Sequence, residues 1–191
     1  MEETRFVGKG IVKKDAEALL SGRPVYTDDL APDSCLIIKL LRSPHAQAII
    51  EDIKTDAARK VPGIAAIFTY KDVPQTRFTE AGQTFPEPSP DDRLILDQRV
   101  RYVGDPVAIV AGKDEACVNR ALRIIKVKYQ VLEPILDFTK SLDNDIIIHP
   151  EDNYVAKEGR GTDPKRNLCA SQSRGEGDVD QVLADCDYVV E

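Results

Sequence analysis

Apolar positions along the chain fall into short blocks whose spacing switches between strand-like and helix-like. Cys35-Leu36-Ile37-Ile38-Lys39-Leu40-Leu41 is a nearly continuous, β-branched run, and it predicts a buried strand. The turn-forming stretch Gly22 to Asp29 (GRPVYTDD) precedes it, and Arg42-Ser43-Pro44 breaks it. Thr55-Asp56 is placed to cap a short helix through Ala57, Ala58, Arg59 and Lys60, which Pro62-Gly63 terminates; a second strand over Ile64 to Tyr70 follows.

The strongest helical pattern begins at Asp114. That residue is a natural N-cap, Glu115 lies in the first turn, and Arg120, Arg123 and Lys126 lie toward the end, matching the helix dipole at both termini. Cys117, Ala121 and Ile124 form one apolar row and Val118, Leu122 and Ile125 an adjoining one, together wide enough to cover a sheet. Lys126 to Leu132 then alternates polar and apolar residues, the pattern of a strand with one wet face, and Pro134 ends it. Helix, strand and Pro thus occur twice, without enough identity to be a sequence repeat.

Between these units, Lys71 to Arg93 is rich in Pro and poor in aliphatic residues, which predicts a long surface loop. Val100 to Val103 and Pro106 to Ala111 are short extended segments, and Gly104-Asp105 between them suggests a hairpin. From Glu151 to Gly177 aliphatic residues nearly vanish, the composition of a linker, with a domain boundary expected near Asp152. Asp178 to Asp185 has helical spacing, and Tyr188-Val189-Val190-Glu191 resembles the first half of a strand. Ending there, the chain is expected to be a piece of a longer polypeptide.

Composition narrows the classes. Of 191 residues, 42% are apolar and 31% charged, enough for a packed core; 26 Lys+Arg against 33 Asp+Glu give a net charge of −7, which argues against polyanion binding by charge alone. No apolar run reaches the roughly 18 residues of a membrane span, and the opening MEETRFVGKG lacks a signal-peptide core, so a cytoplasmic location is expected. Cys35, Cys117, Cys169 and Cys186 form no CxxC pair. Two histidines leave little for transition-metal ligation or acid/base work.

Seven short motifs, in order, carry a resemblance. They are Gly22-Arg23-Pro24-Val25-Tyr26-Thr27-Asp28-Asp29; Leu41-Arg42-Ser43-Pro44-His45-Ala46; Val61-Pro62-Gly63-Ile64; Lys71-Asp72-Val73-Pro74; Arg101-Tyr102-Val103-Gly104-Asp105-Pro106-Val107-Ala108; Val127-Lys128-Tyr129 with Leu132-Glu133-Pro134; and Arg166-Asn167-Leu168 with Gly177-Asp178-Val179-Asp180. Each is weak alone, but the ordered set resembles the α/β-hammerhead domain that begins the molybdenum-binding subunit of xanthine dehydrogenases and aldehyde oxidases, with the passage into its molybdopterin-binding domain. The resemblance implies a parent that hydroxylates an electron-poor carbon of a purine, heterocycle or aldehyde with oxygen from water. Molybdopterin-bound molybdenum would do this with a base glutamate, electrons leaving through iron–sulfur clusters, commonly to FAD. The pterin loops and that glutamate belong to later segments in the family, so no catalytic, cofactor-binding or metal residue is assigned in this chain.

Several residues that invite a chemical role have a simpler one. Gly8-Lys9-Gly10 lacks the strand and the Gly-Lys-Ser/Thr of a phosphate loop and is read as a turn. His45, after Ser43-Pro44, could face a substrate channel or be a structural histidine; His149 carries still less signal. Asp28-Asp29 and Asp91-Asp92 are read as turn carboxylates, the basic run Lys157 to Arg166 as a solvated linker, and Cys117 as core packing.

The expected fold class is α+β, an α/β-hammerhead with a mixed sheet and covering helices over residues 1–150, a linker over 151–177, and the opening of a molybdopterin-binding domain over 178–191. Expected partners are the molybdopterin-binding domains of the same polypeptide and iron–sulfur/FAD electron-transfer subunits, with no nucleic acid and no membrane; self-association through a surface left bare is a further possibility. The alternative is a stand-alone αβ binding or interaction module without catalysis.

Overall fold

A computed structural model describes residues 5–82, 89–154 and 161–190. By contacts the chain divides into two units, 1–36 and 37–191. The first unit holds a short helix α1 (Ala16–Leu20) and a 3-10 turn, Thr27–Leu30, and none of the residues of either element is buried. In the turn, the Asp29 carboxylate accepts from the Tyr26 backbone N–H at 2.8 Å, the capping role expected of a turn aspartate.

Among the described residues the second unit carries six strands in two antiparallel sheets. The first sheet has the order β1-β5-β3, from β1 (Ile37–Arg42), β5 (Pro106–Gly112) and β3 (Ile64–Thr69). The second has the order β4-β2-β6, from β4 (Arg99–Val100), β2 (Ala48–Lys54) and β6 (Lys126–Val131). The α+β hammerhead architecture holds, but every ladder is antiparallel where a mixed sheet was expected. Helices α2 (Asp56–Arg59) and α3 (Glu115–Ile124) pack on the first sheet and on each other.

Helix α3 forms as its sequence dictates. The Asp114 carboxylate accepts from the Cys117 N–H at 2.8 Å, satisfying one of the free donors of the first turn. Its stripe places Cys117, Val118 and Ala121 in a core with Ala58, Val61, Ile67, Val110 and Ile125. A second core joins Ala48, Ile50, Val100 and Val107, and Leu41, Ile53 and Val127 pack against both. Fully burying each Ile or Val stabilises by about 1.5–3 kcal/mol, so these clusters carry the unit. No helix among the described residues is long and apolar enough to cross a membrane.

Several expectations change. The run at 35–41 forms β1, yet it is an edge strand with Ile37 and Ile38 exposed, not a buried one. Strand β2 was not foreseen, because Glu51-Asp52 interrupts its apolar residues; a register shift between Ile50 and Asp52 absorbs the break. The hairpin at 100–111 does not form. Val100 pairs with β2 in one sheet and Pro106 onward pairs in the other, so the turn carries the chain between sheets. That turn closes with the Asp105 N–H donating to Tyr102 O, needs a positive φ at Gly104 (99°), and docks on Ser43 through Gly104 N–H to Ser43 O (2.8 Å) and Ser43 N–H to Asp105 O (2.9 Å). Residues 188–190 join no ladder, although α4 (Val179–Ala184) does form behind its Asp178 cap.

Candidate functional site

A cluster of charged side chains in the second unit lies where the end of β4 meets the segment 148–153. Three guanidinium groups converge on one carboxylate, that of Glu151. Arg101 Nη2 donates to Glu151 Oε1 at 2.5 Å, Arg99 Nε lies 3.4 Å from the same oxygen, and Arg77 Nη2 lies 3.7 Å from Oε2. Arg101 also donates through Nη1 to Asp97 at 2.7 Å and through Nε to the Ile148 carbonyl at 3.2 Å. Its planar fork therefore stitches β4 to residues 148 and 151. The Arg77 side chain is only 5% exposed and spends its other donors on Asn153 Oδ1 and the Asp92 carbonyl.

His149 completes the cluster. Its Nδ1 lies 3.8 Å from Glu151 Oε2, and both atoms are buried without a hydrogen-bond partner. Burial first, then Arg101, holds the imidazole pKa below its ordinary value, against the opposing pull of Glu151 and Asp92; the ring is neutral at pH 7. Tyr154 tilts against that ring at 5.3 Å, and burial pushes its phenol up to about 12. Burial also raises Asp105, against the Arg101 N–H that its carboxylate accepts. Two small cavities share Asp92, Ile148 and His149 as walls. One, of 160 Å³, also meets Arg93, Arg101 and Asp105, and the other, of 200 Å³, also meets Tyr154, Asn167 and Cys169.

A second lock lies beside the first. Asn167, in the left-handed conformation, donates to the Ser141 and Ile146 carbonyls and accepts from the Ile148 N–H, while Arg166 grips Asp143 with two bonds. The stretch expected to be a linker thus contains an ordered turn, which gives Arg166-Asn167-Leu168 a physical role. Lys157 to Arg160 lie outside the described residues.

The residues singled out from sequence are not brought together. His45 and Tyr129 form a T-shaped ring pair with centroids 4.9 Å apart, and the His45 backbone N–H donates to Ser43 Oγ at 3.0 Å, a brace beside the second sheet. Cys117 is buried on α3. Of the paired aspartates, only Asp92 reaches the cavities. Arg77, Arg99, Arg101 and Glu151 carried no sequence signal as a set, because they come from distant points of the chain.

The sequence model of the family described as aldehyde oxidase and xanthine dehydrogenase, a/b hammerhead domain, matches residues 21–133. The chain belongs to this family. It is 31% identical over its whole length to "Probable hypoxanthine oxidase XdhD" of Escherichia coli (strain K12), covering 22% of that protein. Over 94% of its length it is 32% identical to a xanthine dehydrogenase molybdenum-binding subunit of Escherichia coli O157:H7, covering 23% of it. The aldehyde oxidoreductase of Desulfovibrio desulfuricans superposes on 75% of this chain with a TM-score of 0.64 and 30% identity, using 17% of its own chain. The hammerhead chain therefore spans about a fifth of the length of these two curated relatives.

Among the described residues no three His, Cys, Asp or Glu side chains group to hold a metal ion. The polar cluster is built to hold backbone segments together.

Proposed function

We propose that this hammerhead chain is the supporting domain of a molybdenum hydroxylase of the xanthine dehydrogenase and aldehyde oxidase type. In this reading it braces the molybdopterin-binding part of the large subunit and contributes to the walls of the substrate passage. Iron–sulfur and FAD-bearing subunits receive the electrons, and the reacting groups lie outside the described residues. The substrate is a purine, heterocycle or aldehyde, and the location is the cytoplasm. The same reading divides the chain into a hammerhead over 1–150, a connecting stretch over 151–177 and the start of the next domain over 178–191.

The observation that carries this is the family match over 21–133, together with a polar cluster in which Arg101 alone bridges Asp97, Ile148 and Glu151. The test is complementation. With the remainder of the large subunit and the electron-transfer subunits supplied on separate plasmids, adding this chain is expected to restore hydroxylation of a purine or aldehyde. Equal activity with and without the chain would overturn the proposal.

A further inference from the structure

The segment 146–154 is held differently from the sheets beside it. None of its residues belongs to either apolar core, and none is buried as a whole. Among the described residues its backbone makes no hydrogen bond to the backbone of another segment; Tyr154 N–H to Glu151 O is internal to it. What ties it down is side chains reaching in. Asn167 holds Ile146 O and Ile148 N–H, Arg101 holds Ile148 O and the Glu151 carboxylate, and Arg77 holds Asn153 Oδ1. A stretch tethered by polar contacts alone opens at lower free energy than a packed core.

His149 sits among these tethers. Its Nδ1 is buried and unpartnered, 3.8 Å from the equally unpartnered Oε2 of Glu151, which is beyond hydrogen-bond reach. An imidazolium carries an N–H on both nitrogens, so a second proton brings a charge and a donor into this corner. To meet it, Glu151 would have to turn from Arg101, Arg99 and Arg77, which already share its carboxylate. Burial opposes the charged ring most and Arg101 next, with Arg77 adding to them, while Glu151 and Asp92 favour it. Arg93, Asp97 and Asp105 line the cavity on one side of the ring, and Tyr154 and Cys169 the cavity on the other. The Asp97 carboxylate is engaged by the Arg101 guanidinium and that of Asp105 by the Arg101 backbone N–H.

We infer that residues 146–154 form an acid-released latch, in which a proton on His149 detaches this segment from Arg101 and Arg77 while the two sheets stay folded. The sign follows from the surroundings of the ring. Shut, the latch holds the imidazole neutral; released, the ring meets water and takes up the proton more readily, so protonation and release favour each other. The latch is therefore shut at pH 7 and opens as pH falls below about 6.5. Each unit by which the shut form lowers the imidazole pKa multiplies the released-to-shut ratio by up to about tenfold once the ring is protonated. Release also uncovers the Arg77 side chain, only 5% exposed when shut. The inference does not depend on the proposed function, and either can fail without the other.

The test is an NMR titration of the full chain from pH 7.5 to 5, following the imidazole signals, of which the chain has only two, and the backbone amides. The amide signals of Ile148 and Glu151 are expected to move to unfolded positions with the same midpoint as the His149 imidazole, while those of Val110 and Ala121 in the core stay in place. His149→Gln, neutral across this range, is expected to keep the Ile148 and Glu151 signals at their pH 7.5 positions down to pH 5. Segment signals that hold still while His149 titrates would overturn the inference, as would segment and core signals lost together, or a His149 ring that takes up no proton by pH 5. Release of the segment at the same pH in His149→Gln would assign the trigger to a carboxylate and refute the role of His149. Should that variant not fold, the wild-type titration decides alone: a shared midpoint supports the latch and separate midpoints refute it.

Discussion

At the scale of single residues, Arg101 and His149 make opposite electrostatic demands on the same corner. Arg101 is the hub: with it gone, Asp97 and Glu151 keep their partial burial and lose their closest cation. Arg101→Ala is therefore expected to destabilise the fold by about 3 kcal/mol in urea denaturation, and Arg101→Lys to recover only part, since one ammonium cannot span Asp97, Ile148 and Glu151. His149 works through pH. Its pKa is lowered in the folded state, so between that value and about 6.5 the unfolded chain binds the proton more readily. The contribution of neutral His149 is present above about pH 6.5 and is lost as pH falls through the folded pKa. Denaturation midpoints at pH 7.5 and 5.5 should differ more in wild type than in His149→Gln; an equal pH response would contradict the assignment. None of this was legible in the sequence, where His149 stood beside Pro150 without a pattern, because its meaning comes from Arg101 and Arg77, many residues away.

At the scale of elements, local chemistry was readable and pairing was not. Asp114 capping α3, the two-row apolar stripe and the alternation of β6 all rest on contacts within a few residues, and they stand as the spacing predicted. Strand β2 and the crossing at Gly104 depend on partners far along the chain, Tyr129 and Ser43 among them, and the hairpin expectation failed for that reason. Two glycines show how tightly the elements meet. Gly112 faces α3 so closely that an added Cβ would lie 2.7 Å from Cys117 Sγ and 2.9 Å from Val118 Cγ2. Gly112→Ala should cost about 1–3 kcal/mol, and Cys117→Ala in that background should return part of it, which a double-mutant cycle measures. Gly63 instead needs its φ of 94° between α2 and β3, and Gly63→Ala should cost about 1–2 kcal/mol in the same assay.

For the whole molecule, the fold and the site lead to one conclusion from different directions. Two sheets that share packing residues, with an arginine-centred lock beside them, hold the second unit together. The ordered motifs were enough to suggest the family, since Val61-Pro62-Gly63 and Arg101 to Asp105 mark turns whose geometry the fold requires. The Glu151 cluster was hidden because four charged residues converge only after folding. The most direct measurement is the molybdenum content of the tagged, affinity-purified chain, expressed alone and together with the remainder of the large subunit. The account predicts no molybdenum with the chain alone and a near-equimolar amount when the remainder co-purifies; equimolar molybdenum in the chain alone, or none in either preparation, would contradict it.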